Sequence, residues 1–199
     1  MSGVGFDGIF NFYHKYYPGA SIQNHVKIKT SSDFPGRGNP YYVIDPKITS
    51  TELTMNWLSE SYENSSFMII FQRDILMLSS YSLRARLDNY YNLPKEFVLE
   101  GSNDLSNWVF LHHKQRGDEL TTKGNERNWK VNSNNYFRAF KLTMLGENYH
   151  LYDNEKYIFS LNKLEVFGTI HPLFKGCSCK TGNKYKQRLI FIMLFATIS

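Results

Sequence analysis

The residue types that usually carry chemistry are sparse and scattered along this 199-residue chain. A serine or cysteine hydrolase needs a nucleophile held in a sharp turn or beside a base. The chain has neither a Gly-x-Ser-x-Gly sequence nor any cysteine before Cys177. Cys177 and Cys179 have one residue between them, which strains a disulfide and leaves too few ligands for zinc. His112 and His113 are adjacent, but neighbours on a strand point to opposite faces and cannot chelate one ion; one half-buried and one exposed imidazole are expected. His14, His25, His150 and His171 have no partner at a metal-ligand spacing, and Gly36-Arg37-Gly38 lacks the helix and the Lys-Ser/Thr of a phosphate-binding loop. Neither a metal nor another cofactor is expected. Glycoside hydrolysis requires a convergent carboxylate pair, for which Asp45, Glu52, Glu60, Glu63 and Asp88 are the loop candidates, and their spacing singles out no pair.

Aromatic and amide side chains give a stronger signal. Tyr41, Tyr42, Trp57, Tyr62, Asn64, Tyr90, Tyr91 and Asn92 cluster in polar stretches between apolar runs. Rings bury area at low entropic cost while amides and an arginine fix orientation, so such loops suit a rigid binding surface. The same rings would equally serve to plug the ends of a sandwich.

The elements that must hold these loops are read from periodicity. Phe6, Ile9, Phe10, Tyr13 and Tyr17 recur at helical spacing until Pro18-Gly19 stops them, which predicts one short amphipathic helix in residues 1–24. From residue 25 the pattern becomes short alternating runs: 25–30, 67–71, 79–86, 96–101, 107–112, 136–144 and 157–167. With 14 Tyr and 15 Phe favouring strands, and turn-rich loops instead of helices between them, an all-β antiparallel sandwich or jelly roll is expected over 25–170. Residues 31–42, 45–66 and 118–135 read as long loops. In the run 136–144, Arg138 shares a phase with Phe140, Leu142 and Met144, so either a carboxylate among Glu100, Asp104 and Glu165 pairs with it or the strand end reaches solvent.

Residues 93–108 read Leu-Pro-Lys-Glu-Phe-Val-Leu-Glu-Gly-Ser-Asn-Asp-Leu-Ser-Asn-Trp. This resembles the F5/8 type C, or discoidin, signature, in which a strand leads into a turn and a Trp opens the next strand. Glu100, Gly101, Ser102, Asn103, Asp104 and Trp108 carry the match, with Gly101 expected to allow a bend and Asn103 and Asp104 to make turn hydrogen bonds. Tyr81-Ser82-Leu83-Arg84, Trp57-Leu58-Ser59 with Phe67–Phe71, the Tyr136–Leu142 run containing Arg138, and Leu164–Gly168 resemble further family segments in order. The resemblance implies a galactose-binding-like jelly roll meeting ligands through loops at one end. It places the spikes at 31–42, 45–57 and 84–94, with Arg37, Tyr41, Tyr42, Trp57, Tyr90 and Tyr91 as ligand contacts. Secreted coagulation-type members close the domain with a cysteine pair; this chain has no cysteine before 177 and looks more like the intracellular branch.

Charge separates the chain in two. Residues 1–174 hold 18 Lys+Arg and 18 Asp+Glu, so the whole net charge of +5 lies in 175–199. A neutral domain gives no clustered basic face for nucleic acid. The segment 171–199 is basic and then apolar from Leu189 to Ile198, too short to span a bilayer but suited to weak peripheral contact, to a docked strand, or to no role in the fold. No signal-like segment occurs at residues 1–8, so a cytoplasmic location is expected. The expected function is a non-catalytic module that binds a carbohydrate or protein ligand. The alternatives are an intracellular adaptor acting through sheet faces or tail, and a β-sandwich hydrolase.

Overall fold

The computed structural model describes residues 6–36, 38–48, 55–89, 91–117 and 119–173. Arg37, Glu52, Tyr90, Cys177, Cys179 and the apolar run 189–198 lie outside the described residues. A helix α1 (Ile9–Tyr16) precedes ten strands: β1 (Val26–Thr30), β2 (Trp57–Leu58), β3 (Ser66–Phe71), β4 (Asp74–Arg84), β5 (Phe97–Ser102), β6 (Val109–Lys114), β7 (Glu126–Lys130), β8 (Ala139–Met144), β9 (Ser160–Leu161) and β10 (Lys163–Pro172). A five-stranded sheet ordered β1-β3-β8-β5-β6 packs against a three-stranded sheet ordered β10-β4-β7, and β2 pairs with β9. All pairings are antiparallel. The expected all-β sandwich with one short N-terminal helix is therefore the fold.

Alternation builds the core. Phe67, Ile69 and Phe71 of β3 and Phe140, Leu142 and Met144 of β8 turn the same way and are buried. On β4 the buried positions change phase, from Leu76 and Leu78 to Tyr81 and Leu83. A bulge causes this: Phe167 pairs with Ser80 while Gly168 pairs with Leu78, leaving Ser79 unopposed. One extra residue re-aims the second half of β4 so that both halves of an 11-residue strand face the core. The polar strand β7 lies inside the stretch 118–135 that reads as loop in the sequence. Its only large apolar side chain, Trp129, stacks on Tyr81 with centroids 5.3 Å apart, and Glu126, Arg127, Asn128 and Lys130 leave no alternating apolar signal.

Each sheet edge is closed differently. Between β6 and β7, Trp129 and Phe97 pack around Tyr81, whose hydroxyl is 2.8 Å from His112 Nδ1. Both His112 and His113 are half-buried, against the expected split: His113 bonds Glu96 at 2.7 Å and is only partly open to solvent. Between β1 and β10 the gap is covered by α1 and by the 3-10 turn Pro40–Ile44. Helix α1 has no side-chain cap of its own; the buried carboxylate of Glu165 on β10 accepts N–H bonds from Phe10 at 2.9 Å and Asn11 at 3.3 Å, and another from Val166 at 3.0 Å. Two positions earlier on the same face of β10, the Lys163 ammonium donates to the carbonyls of Asp45 and Ile48.

The turn after β5 differs in detail from its sequence reading. Asp104 accepts from the Ser106 and Asn107 amides at 2.9 and 2.8 Å, and Asn103 bridges to Tyr136 O and Arg138 N, as turn residues do. These donors hold the Asp104 carboxyl well below the usual carboxylate range. Gly101 makes no bend: it sits inside β5, and a Cβ there would lie 2.7 Å from the Phe137 ring. Its function is close approach. Trp108 is half-buried and packs on the sheet surface under Lys141 Nζ, 4.2 Å from the ring centroid, and Lys141 also pairs with Glu100 at 2.9 Å. Arg138 has no carboxylate partner among Glu100, Asp104 and Glu165; it precedes β8, is exposed, and donates Nε to Phe71 O at 3.2 Å.

Two outcomes follow from this packing. Gly101→Ala should cost about 1–3 kcal/mol by driving Cβ into Phe137, seen as a lower urea midpoint at unchanged m-value. Burial pushes the Glu165 carboxyl up to about 7, outweighing the amide bonds that favour its charge. The folded state thus holds this proton more tightly than the unfolded chain, and the stabilisation, complete below the ordinary Glu range, is lost as pH rises through 7. Thermal midpoints measured from pH 5 to 8 should fall for the wild type and stay flatter for Glu165→Gln; parallel profiles would refute the assignment.

Candidate functional site

Strand directions fix which loops meet. The C-terminal ends of β1, β4, β6 and β8 lie at one end of the sandwich, so the segments 31–36 with 55–65, 85–89 with 91–96, 115–117 with 119–125, and 145–159 gather there. The first two are held together by amides. Asn56, buried just before β2, donates Nδ2 to Asp88 at 3.0 Å and accepts from Leu87 N at 3.3 Å and Asn162 Nδ2 at 3.0 Å. Asn162 in turn accepts from Arg84 Nε at 2.5 Å. Arg84 and Arg86 point the same way on the end of β4, and Arg86 grips Asp88 with two bonds of 2.8 Å. This bidentate geometry fixes the carboxylate in place. The Arg86 guanidinium also lies 5.9 Å from the centroid of the half-buried Tyr91 ring.

The first loop packs directly on this network. Phe34 N donates to Leu58 O at 2.9 Å, and Gly38, at φ +62°, presses so close that a Cβ would fall 1.6 Å from Asn56 O. No side chain fits there, so Gly38 is pinned against Asn56 and the start of β2. On the far side, Asn92 takes a positive φ of 63° and donates Nδ2 to Glu155 at 3.1 Å, and Asn148 donates to Glu155 O and Ile158 O at 2.9 and 2.7 Å. Tyr62 and Tyr152 stand exposed at this end.

The sequence-predicted contacts separate into three places. Tyr91 sits at the loop end beside Arg86 and Asp88. Tyr41 and Tyr42 are not there: they line a groove on the side of the sandwich, between α1 and the 39–47 segment, with Tyr41 OH accepting from Ile28 N at 3.3 Å. Trp57 is no contact at all. It is fully buried, edge-on to Phe67 and Phe159 at 4.9 and 5.7 Å, with Nε1 donating to Asp33 at 2.7 Å. Its position in a polar stretch suggested a surface ring, but that stretch folds inward as β2 against β9. Arg37 and Tyr90 lie outside the described residues.

Sequence reasoning missed Asn56, Arg86 and Asn162. A signal existed for one of them: arginines at 84 and 86 share a strand face, and an aspartate follows two residues later. Of the hydrolase candidates, Asp88 is held by Arg86 and Asn56, and Asp45 lines the side groove. Among the described residues no group of three His, Cys, Asp or Glu side chains is placed to hold a metal, and no helix is long and apolar enough to cross a membrane.

No sequence-family model and no curated protein matches the chain. Solved structures do. A carbohydrate-binding module of Clostridium perfringens, CpGH89CBM32-5 in complex with GalNAc-β-1,3-galactose, is similar at 18% identity and TM-score 0.57, covering 73% of this chain and 97% of that one. The family 32 module of NanJ from the same organism, in complex with galactose, is similar at 12% identity and TM-score 0.55, covering 75% and 96%. A fucolectin from striped bass serum is similar at 14% identity and TM-score 0.57, covering 72% of this chain and 47% of that one. At these identities the likeness is one of fold: this chain shares the antiparallel β-sandwich of those modules.

Proposed function

We propose that this chain is a non-catalytic carbohydrate-binding module that meets its ligand with the loops at the Asn56 end of the sandwich. The observation that carries the reading is the Asp88 carboxylate, fixed by Arg86 and Asn56 next to the Tyr91 ring. An ionised carboxylate is an acceptor, the group that a sugar hydroxyl needs as a partner. A tyrosine face beside it suits the C–H face of a pyranose ring. Both groups are set in position before ligand arrives, because the amides of Asn56 and Asn162 tie their loops to β4 and to the strand pair β2-β9. Preorganisation of this kind lowers the ordering cost of binding.

The solved relatives support carbohydrate as the ligand class: the modules compared above hold galactose or GalNAc-β-1,3-galactose, and a similar module from Streptococcus pneumoniae is described as fucose-binding. Arg37 and Tyr90 flank the same loops in sequence and belong to the proposed contact set. The intracellular branch of the discoidin family and a cytoplasmic location go with this proposal, resting on the absence of cysteine before position 177.

Calorimetric titration with galactose, N-acetylgalactosamine and fucose tests the reading. At least one should bind, and Tyr91→Ala and Asp88→Asn should each weaken it about tenfold or more, the loss of one charge-assisted hydrogen bond or one stacking face being worth about 1.5–3 kcal/mol. Wild-type affinity in both variants, with unchanged thermal midpoints, would move the site elsewhere.

A further inference from the structure

We propose that the groove between α1 and the 39–47 segment is a second site, separate from the loop end, that takes a single neutral sugar residue. The proposal rests on the carbohydrate reading above and goes beyond it. The groove has a volume of about 270 Å³, near the lower limit for small-molecule pockets, which suits one ring rather than an oligosaccharide. Tyr41 and Tyr42, both half-buried, supply aromatic surface on one wall, and His25, stacked on the buried Tyr13 ring at 4.3 Å, lies on the other.

What distinguishes the groove from an ordinary surface crease is how its walls are held. Glu165 and Lys163 lie two residues apart on one face of β10 and are 1% and 4% exposed. Glu165 accepts the amides of Phe10 and Asn11 and so fixes α1, the wall that carries Tyr13. Lys163 donates to Asp45 O and Ile48 O and so fixes the opposite wall, and the Tyr41 hydroxyl adds a bond to Ile28 N. Burying an ionisable side chain carries a desolvation cost that an apolar pair would not. What the two side chains secure in common is the placement of the groove walls.

The groove also contains polar groups that the protein leaves unspent. Among the described residues the His25 imidazole and the Tyr42 hydroxyl make no hydrogen bond. Asn39 uses its Oδ1 on Tyr41 N and keeps its amide N–H₂, and Asp45 uses Oδ1 on Lys47 N and keeps Oδ2. Donors and acceptors in roughly equal number, next to ring faces, match the alternating hydroxyls of a sugar. Charge selects a neutral one. Asp45 and Lys47 both line the groove and offset each other, and burial against Tyr13, 4.3 Å away, lowers the proton affinity of His25.

The test is a ¹⁵N-HSQC titration of the full chain with galactose, N-acetylgalactosamine and fucose, followed at Gln23, Tyr42 and Lys47 for the groove and at Leu87, Tyr91 and Asn92 for the loop end. At least one sugar should shift the groove amides with its own saturation curve. Tyr42→Ala should weaken that curve at least fivefold while leaving the loop-end curve in place, and Tyr91→Ala should do the reverse. Asn39→Ala, whose side chain is exposed, gives a second reading should the Tyr42 variant lose its fold. Shifts at the loop end alone would overturn the groove proposal and leave the function standing. Groove shifts that vanish in Tyr91→Ala would overturn it as well, by making the two places one site. Silence at both ends would defeat both readings.

Discussion

Strand β10 carries two ionisable side chains into an otherwise apolar sandwich, and the β1 side of the molecule depends on them. A helix end leaves its first amides unsatisfied, and α1 has no Ser, Thr, Asp or Asn at its N-cap, where Gly8 stands. The missing acceptor comes from Glu165, 155 residues away from Phe10 in sequence. Because the carboxylate is buried, it either forms these bonds or leaves an orphaned polar group in the core, so helix docking and strand pairing are one event. Lys163 ties the segment after the Pro40–Ile44 turn in the same way, through carbonyls rather than a counter-ion. Two ionisable side chains, spaced by one residue, thus close the gap between β1 and β10 where backbone pairing cannot reach.

The loop end uses a different device. Its central residues are amides, and an asparagine satisfies a donor and an acceptor at once without the desolvation cost of a charge. Asn56, Asn162, Asn92 and Asn148 each bridge segments distant in sequence, as in the bond from Asn162 to Asn56 across 106 residues. The charges admitted there are paired: Arg86 holds Asp88 bidentately, and the buried Arg84 meets Glu126 at 3.3 Å. The outcome is a set of irregular segments as constrained as strands, which is what a binding surface made of loops requires.

How much of this is legible in the sequence depends on range. Strands β1, β3, β5 and β8 announce themselves because a period of two is local, and α1 because Ile9, Phe10 and Tyr13 recur at helical spacing. Strand β7 stays hidden because one tryptophan among four polar residues makes no period, and the phase change at Ser79 is set by the partner strand. Trp57 shows the limit most clearly. Its type and polar surroundings fit a ligand contact, yet the pairing of β2 with β9, over 100 residues on, puts the ring in the core. The Arg86–Asp88 pair was within reach as a local pattern, whereas its link to Asn56 required knowing which loops meet.

The outer edges of the two sheets add a consequence for behaviour in concentrated solution. An unpaired strand edge invites another chain to extend the sheet, and natural sandwiches blunt it with charge or cover. Here β7 presents Glu126, Arg127 and Lys130, β1 presents Lys27 and Lys29, and the β10 edge lies beneath α1. The strand β6 alone begins with exposed apolar residues, Val109 and Phe110, before turning to His112, His113 and Lys114. Repulsion between lysines on β1, the charged side chains of β7 that would have to be desolvated, and the cover of α1 over β10 leave three of these four edges resisting self-association. The polarity that conceals β7 from a sequence reading is thus also what discourages the folded molecule from adding strands of its neighbours.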